Sequence, residues 1–302
     1  MALVDVVVVS YNSRSHLRTC VAPLTRLPDV LVIVVDNASS DGSLDSVSDL
    51  QLTTVSHKEN RGFAAGCNGG WREGGSPYVL FLNPDATIDE GSLRDLVAVL
   101  EKDTAIGAVA PRVEYPDGSL AWSQRRFPQL RSTFARAVYL HRLFPRAAWS
   151  DEIIRDEHAY AVPGSPDWVS GACVLVRRSA LEKIGGWDDG FFLYAEDIDL
   201  CRRLRNCGYE LRYDPSGVAR HAEGGSTPGY DTLPLLATSR LRYGYKHRGR
   251  MAATLERFGL GLEAVTHVFL SRGGLASRAA HVKALRAVLS GPARHPPSAR
   301  PT

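Results

Sequence analysis

Carboxylates and small polar residues in this sequence gather just after short apolar runs, where a strand delivers side chains into a cleft. Asp85 follows the run Tyr78–Leu82 within Asn83-Pro84-Asp85-Ala86. Beside pyrophosphate oxygens, such a carboxylate makes the hard-oxygen site that Mg²⁺ or Mn²⁺ prefers. Asp36 ends another run and suits accepting a hydrogen bond from a base or ribose, whereas Asp41 suits capping of the next helix. Ser10-Tyr11-Asn12 closes the first run. The stretch Asn60-Arg61-Gly62-Phe63-Ala64-Ala65-Gly66 opens a helix with small residues that let backbone N–H groups approach a diphosphate, and Arg61 adds a positive charge. Downstream, Glu196, Asp197 and Asp199 crowd the start of a helix, more carboxylates than capping requires. One of them beside an acceptor hydroxyl can act as general base, its pKa raised by like-charged neighbours. His221, followed by Glu223-Gly224-Gly225-Ser226, suits a metal shell or a diphosphate contact.

The elements that must carry these residues alternate. Val6–Ser10, Leu31–Asp36, Leu52–Ser56, Tyr78–Leu82 and Ile106–Ala110 read as strands, and Ser15–Ala22, Asp41–Val47, Ala64–Trp71 and Ser92–Glu101 as helices. This order predicts a largely parallel sheet between helical layers, with ligands outside the C-terminal strand ends. After Pro111 a hairpin is expected across Pro116-Asp117-Gly118. Phe127 to Pro166 reads as an irregular, basic, amphipathic insert whose role stays open between acceptor site, membrane contact and dimer surface. Regular structure resumes with strand Trp168–Arg177, helix Ser179–Ile184, a Gly185-Gly186-Trp187 turn, helix Asp197–Asn206, and strands Tyr209–Tyr213 and Val218–His221. Beyond Pro228 the pattern is helical. A domain boundary is expected near Ser226, separating a catalytic region 1–226 (halves about 1–110 and 111–226) from a basic extension 227–302.

At 302 residues, 44% of them hydrophobic, the chain can bury one large core plus an appendage. The five scattered cysteines form no C-x-x-C pair, which argues against a zinc knuckle or an oxidised framework and favours a reducing cytoplasm. Met1 leads straight into an apolar strand without a basic leader, so no signal peptide is expected, and no run approaches the roughly 20 apolar residues of a membrane span. Charge is uneven: after Ser226 stand twelve Lys and Arg against three Asp and Glu, leaving the rest of the chain acidic. Such a tail either faces an anionic surface, such as the inner face of the plasma membrane, or is a solvated helical face. Ser10-Tyr11-Asn12-Ser13-Arg14-Ser15 lacks the G-x-G-x-x-G of dinucleotide oxidoreductases and the Gly-rich basic loop of nucleotidyltransferases. No nucleic-acid-binding module is present, and nucleic acid is not expected as a partner.

Taken together, Val9-Ser10-Tyr11-Asn12, Asp36 to Ser43, Asn60-Arg61-Gly62-Phe63-Ala64, Leu82-Asn83-Pro84-Asp85 and Gly171-Ala172 through Glu196-Asp197-Ile198-Asp199 resemble glycosyltransferase family 2, and more narrowly its bacterial rhamnosyltransferase branch, over about Val4 to Ser226. The resemblance implies an α/β GT-A fold, Rossmann-like with a mixed central sheet, and an inverting, metal-dependent transfer of a sugar from a nucleotide diphosphate. It implies donor contacts at Ser10, Tyr11, Asn12, Asp36, Asn60, Arg61, Gly62, Ala65, Asn83 and Asp85. Acceptor contacts fall at Trp168, Gly171, Ala172, Glu196 and Asp199, the base at Asp197 with Glu196 as its alternative, and the Mg²⁺ or Mn²⁺ site at Asp85 and His221. The family's DxD motif reads Asn83-Pro84-Asp85 here, so the first acid is an amide and the metal rests on the second. dTDP-L-rhamnose is the expected donor, with UDP-galactofuranose, UDP-N-acetylglucosamine and GDP-mannose open. A lipid-linked or oligosaccharide acceptor of cell-wall or surface-glycan synthesis is expected, with a homodimer open and a non-catalytic nucleotide-sugar binder as the rival reading.

Overall fold

The computed structural model describes residues 2–222, 232–270 and 274–291. Strand β1 (Val4–Ser10) is buried along its whole length, as a near-continuous apolar run must be when helices cover both sheet faces. It pairs in parallel with β2 (Val30–Asp36) and β4 (Tyr78–Leu82), and β2 pairs in parallel with β3 (Thr53–Ser56). Ser10 and Asp36 are register partners, so two of the expected ligand-facing residues lie side by side at one sheet end. Helices α1 (Arg14–Val21), α2 (Phe63–Trp71) and α3 (Glu90–Lys102) cover the faces. Val6, Val8, Val32, Val34 and Leu80 pack toward Leu17 and Leu96, while Val7, Val9, Ile33, Val35 and Phe81 pack toward Ala64 and Trp71, the alternation a strand imposes.

The remaining strands are β5 (Ala86–Ile88), β6 (Ile106–Glu114), β7 (Gln124–Arg125), β8 (Trp168–Val169), β9 (Cys173–Arg177) and β10 (Glu210–His221). The main sheet has eight strands in the order β3-β2-β1-β4-β9-β6-β10-β5. Insertion of β9 antiparallel to both β4 and β6 makes the sheet mixed.

Several expected boundaries shift for identifiable reasons. Trp168–Arg177 is two strands, because β8 pairs with β7 in a separate ribbon and the chain turns through Ser170-Gly171-Ala172 before β9 enters the main sheet. Tyr209–Tyr213 and Val218–His221 are one strand with an irregularity between Asp214 and Val218. The helix expected at Asp41–Val47 shrinks to one 3₁₀ turn, Leu44–Val47. There Asp41 accepts from the backbone N–H groups of Ser43 and Arg14, capping α1 across the loop. The hairpin at Pro116-Asp117-Gly118 reduces to a turn beyond a longer β6, with one bridge between Glu114 and Leu120.

The insert 127–166 holds α4 (Leu130–Ala137) and α5 (Leu140–Leu143). It is followed by α6 (Arg178–Lys183), α7 (Glu196–Asn206), α8 (Leu233–His247), α9 (Gly249–Leu270) and α10 (Gly274–Ser290). The insert and the C-terminal helices pack on each other: Thr133 Oγ1 donates to Glu256 Oε1 at 2.9 Å, Arg136 lies 3.3 Å from Glu263, and the Phe134 and Phe258 rings are 6.3 Å apart. Gly259 is required at this crossing, since a Cβ there would stand 2.9 Å from Thr133 Cγ2.

Much of the C-terminal positive charge turns inward. Arg240 bridges Glu152 and Glu256, Arg242 and Lys246 pair with Asp188, Lys246 and His247 with Asp199, and Arg248 with Glu256. For these four Lys and Arg residues, the expectation of an external anionic partner is corrected, because internal carboxylates neutralise them. The expected boundary at Ser226 and the residues Glu223 to Ser226 after His221 lie outside the described residues. Among the described residues no helix is long and apolar enough to cross a membrane.

Candidate active site

A cavity of about 410 Å³ opens at the C-terminal ends of β1, β2 and β4 and reaches the start of α7. Tyr11, Asn60, Gly62, Asn83, Asp85, Gly171, Ala172, Glu196, Asp197 and His221, ten of the residues expected from sequence, line it. Asp36 and Ser10 are buried at the ends of β2 and β1 and are not among its lining residues, whereas their chain neighbours Asn37, Val9 and Tyr11 are. Asp36 accepts from Ser39 N–H through Oδ2 at 3.1 Å, while its Oδ1 and the Ser10 hydroxyl are buried with no hydrogen-bond partner. Buried polar oxygens rarely go unsatisfied, and two adjacent ones at a sheet's ligand-binding end suit a bound nucleotide's donors.

The α2 entrance differs from expectation. Three of its backbone N–H groups are already taken: Arg61 N–H donates to Asn37 Oδ1, Gly62 N–H to Asn60 Oδ1, and Phe63 N–H to the Phe192 carbonyl. Gly62 has a left-handed backbone, φ 86°, and a Cβ there would lie 2.3 Å from Phe192 O. Its smallness therefore serves the docking of the 192–194 loop, and the amides of Arg61, Gly62 and Phe63 are engaged within the protein. Ala65 is buried in α2 away from the cavity wall, and Gly66 seats the helix on Val9. Arg61 is exposed outside the lining, and Asn12 is exposed with Oδ1 accepting from Ser40 N–H. Ala65, Arg61 and Asn12 are thus not brought to the cavity.

Glu196 and Asp197 begin α7 directly after two consecutive left-handed residues, Tyr194 (φ 68°) and Ala195 (φ 63°). Such backbone costs of order 1 kcal/mol or more per residue and persists where surrounding structure enforces it. Here Ser239 of α8 donates to the Leu193 carbonyl at 2.7 Å, and Phe63 binds the Phe192 carbonyl. The two acids have different surroundings. Asp197 accepts from Gly171 N–H (3.2 Å) and from its own helix at Ile198 N–H (2.8 Å). Burial raises its pKa, and those two bonds and the nearby Arg125 oppose the rise. Glu196 keeps a buried Oε2 without a partner; burial, with the Asp197 charge alongside, pushes it up to about 8. Glu196 is therefore protonated at neutral pH, while the two backbone N–H bonds and Arg125 favour the ionised form of Asp197, the form a base needs.

Asp199 is not at the cavity. Its carboxylate is fully buried between Arg203 (2.6 Å), Lys246 (2.6 Å) and His247 (2.7 Å), and it anchors α7 to α8. The acceptor contact expected of it is corrected, because all of its side chain is engaged internally. His247 and the Arg203 and Lys246 charges pull its pKa down to about 2 against the effect of burial.

Asp85, His221 and Asn83 converge: His221 Nε2 lies 3.1 Å from Asp85 Oδ1 and 3.2 Å from Asn83 Nδ2. One carboxylate and one imidazole fit a hard or borderline cation that fills its shell with phosphate oxygens and water. Among the described residues no group of three or more His, Cys, Asp or Glu side chains could hold a metal alone. The residues thus fit a cation shared with a diphosphate.

A second cavity, about 400 Å³, meets the first at Ser170, Tyr194, Glu196 and Asp197. Trp168 lines it, its Nε1 donating to the Arg126 carbonyl at 2.9 Å. Arg125, Arg136 and Arg240 also line it, together with aliphatic residues of α8, α9 and α10. Sequence reasoning missed Asn37, which links Asn60 and the Gly62 carbonyl to β2, although its place directly after Asp36 signalled it. It also missed Arg125 and Ser170. Nothing local distinguishes Arg125 from the other arginines of the region.

A mixed sheet with donor-side residues at its parallel strand ends, and an acidic pair facing a second cavity, defines a nucleotide-sugar transferase of GT-A architecture. Residues 5–185 match the family model for glycosyl transferase family 2. The chain is a member of that family and a glycosyltransferase. It is 32% identical over 256 residues to an N-acetylglucosaminyl-diphospho-decaprenol L-rhamnosyltransferase of Mycobacterium tuberculosis, covering 78% of this chain and 80% of that one. It is 30% identical to the rhamnosyltransferase WbbL of Escherichia coli over 50% of this chain and 54% of that one. In fold it is similar to a mannosyltransferase of Pyrobaculum calidifontis solved with GDP-Man and Mn²⁺, with a TM-score of 0.58, 19% identity, and coverage of 95% and 86%.

Proposed function

We propose that the protein transfers L-rhamnose from dTDP-L-rhamnose, with inversion, onto a lipid-linked sugar acceptor used in bacterial cell-wall or surface-glycan synthesis. The observation that carries this reading is the position of Asp197. Its carboxylate faces the nucleotide-side cavity and the second cavity at once, and two backbone N–H groups help keep it ionised. A base at such a junction takes the acceptor hydroxyl proton while that oxygen attacks the anomeric carbon opposite the departing diphosphate, so one displacement inverts the centre. Glu196, protonated beside it, bears no second charge and can donate a hydrogen bond to the acceptor sugar. Ser10 and Asp36 receive the nucleotide's donors.

Asp85 and His221 would hold a divalent cation, with Asn83 alongside. Mg²⁺ or Mn²⁺ bound there supplies charge neutralisation of the leaving nucleoside diphosphate. The rhamnosyl donor and the polyprenyl-linked acceptor are supported by the 32% identity to the mycobacterial enzyme. Contact with a membrane surface is supported by exposed Phe258, Phe269 and Leu270 on α9 and Leu143 and Phe144 near α5, flanked by exposed Arg131, Arg142 and Arg146. Such contact would place the enzyme on the cytoplasmic face of the membrane.

Calorimetric titration with dTDP, UDP and GDP, each with and without Mn²⁺, tests the donor. A metal-dependent preference for dTDP that Asp85→Ala abolishes is the expected result. Preference for UDP or GDP would keep the reaction class and overturn the donor. No binding of any of the three would favour the non-catalytic reading.

A further inference from the structure

The wall of the second cavity mixes aliphatic and charged side chains. Leu236 of α8, Leu260 and Ala264 of α9, and Ala284 and Val288 of α10 supply its aliphatic surface, with Arg240, Glu263 and His281 on the same helices. Ser170, Glu196, Asp197 and Arg125 complete its lining beside the catalytic pair.

The cations around this cavity are not equivalent. Arg240 is clasped by Glu152 and Glu256, and Arg136 by Glu263. His281 is half-buried, and burial lowers its pKa, so it is neutral near pH 7. Arg125 alone among the described lining cations with a fixed charge has no carboxylate partner. Its guanidinium stacks over the Trp168 ring at 5.3 Å, and its Nε is buried without a hydrogen-bond partner. Its backbone is pinned on both sides, by Trp168 in β8 and by a bridge to Ile153, so the side chain is delivered to a fixed place. It also lines a smaller cavity of about 180 Å³ with Ser170, Ala172 and His221, so it is shared by two cavities that both meet the first at Ser170.

A guanidinium without a carboxylate partner and with its Nε buried is poised for a planar oxyanion. The aliphatic side chains that α8, α9 and α10 contribute to the same cavity are poised for a hydrocarbon. We infer that Arg125 binds the phosphate of a prenyl-diphosphate-linked acceptor whose first isoprene units lie between α8, α9 and α10, and that this anchors the acceptor hydroxyl at Asp197. This inference rests on the transferase reading above and adds the residue and the cavity wall that select the acceptor. Arg125 is a binding residue in it. The C-terminal helices become the wall of the acceptor site.

The test uses the full-length protein and farnesyl diphosphate as the probe, titrated in EDTA with dTDP in excess, so that neither metal nor a vacant nucleotide site captures the diphosphate. Wild type is compared with Arg125→Ala and Arg125→Lys, and dTDP affinity measured separately reports a folded donor site. The expected result is at least about tenfold weaker farnesyl diphosphate binding in Arg125→Ala, the scale of one charge-assisted contact. Partial recovery in Arg125→Lys and unchanged dTDP affinity should accompany it. Equal farnesyl diphosphate affinity in all three proteins, or none in wild type, would overturn the inference. So would a loss of dTDP affinity matching the loss of the prenyl probe, which would assign Arg125 to the donor diphosphate.

A transfer assay separates this site from the functional reading. Farnesyl-diphosphate-linked N-acetylglucosamine and octyl N-acetylglucosaminide serve as acceptors. An Arg125→Ala defect in KM confined to the first supports the phosphate contact, and an equal defect with both contradicts it. Arg125-dependent probe binding without sugar transfer to either acceptor would leave the site standing and sink the functional reading.

Discussion

The two sides of the catalytic pair are held together by different physics. On the donor side, Ser10, Asp36, Asn83 and Asp85 leave the ends of buried parallel strands, and neighbouring loops fix them through backbone hydrogen bonds such as Asn37 N–H to the Ser10 carbonyl. On the acceptor side, buried ion pairs join segments far apart in the chain, with Arg240 reaching back to Glu152 and Asp199 held by α8. Hydrophobic strands position the donor residues, and charge pairing between a basic C-terminal region and an acidic body positions the acceptor residues. One consequence is that the acceptor side is vulnerable to a single charge deletion, because removing one partner leaves a carboxylate buried alone.

The sharpest break between the sides falls at Asp197. Asp197→Asn should lower kcat about 10²- to 10⁴-fold, the usual contribution of a general base. Binding of the nucleotide, measured by calorimetry, should hardly change. Arg240→Met comes next: Glu152 and Glu256 lose their shared cation, and unfolding by urea should show a loss of about 3–5 kcal/mol, as for other broken buried pairs. Ser39→Ala, on the donor side and partly exposed, should cost less than about 1 kcal/mol in the same assay. Similar losses at both positions would erase the distinction.

Asp85→Ala should weaken metal-dependent dTDP binding by about tenfold or more, a loss on the scale of one charged contact. EDTA should bring wild type to the same level and leave the variant unchanged.

The smallest effect concerns Glu196. Its folded pKa, about 8, lies above the ordinary 4.5. Between those values the folded protein holds a proton that the unfolded chain has released, so stability falls as pH rises through that window. Glu196→Gln removes this dependence. Its Tm should exceed that of wild type at pH 8, with the difference shrinking toward pH 5.

This contrast also sets what could be read from sequence. Strands β1, β2 and β4 are apolar runs ended by polar residues, so their bounds, and with them the strand-end positions of Asp36 and Asp85, were legible within two residues. The crowded acids at Glu196–Asp199 were legible as a site, but their division of labour was not. Asp199 turns away toward Lys246 and His247, partners some fifty residues downstream that no local pattern connects to it. The same holds for the break at Ser170-Gly171-Ala172, where tertiary pairing of β8 with β7 overrides a continuous strand pattern. The basic C-terminal region suggested an external anion because charge counts carry no information on pairing; Arg240, Arg242, Lys246 and Arg248 all meet carboxylates of the same chain.

The most direct test of the central claim compares sugar transfer by Asp197→Asn and Glu196→Gln at saturating donor near pH 7. With Asp197 as the base, its variant should lose about 10²- to 10⁴-fold in kcat, while Glu196→Gln, which preserves a neutral hydrogen-bonding side chain, keeps most of its rate. A larger loss in Glu196→Gln than in Asp197→Asn would contradict the account and make Glu196 the base.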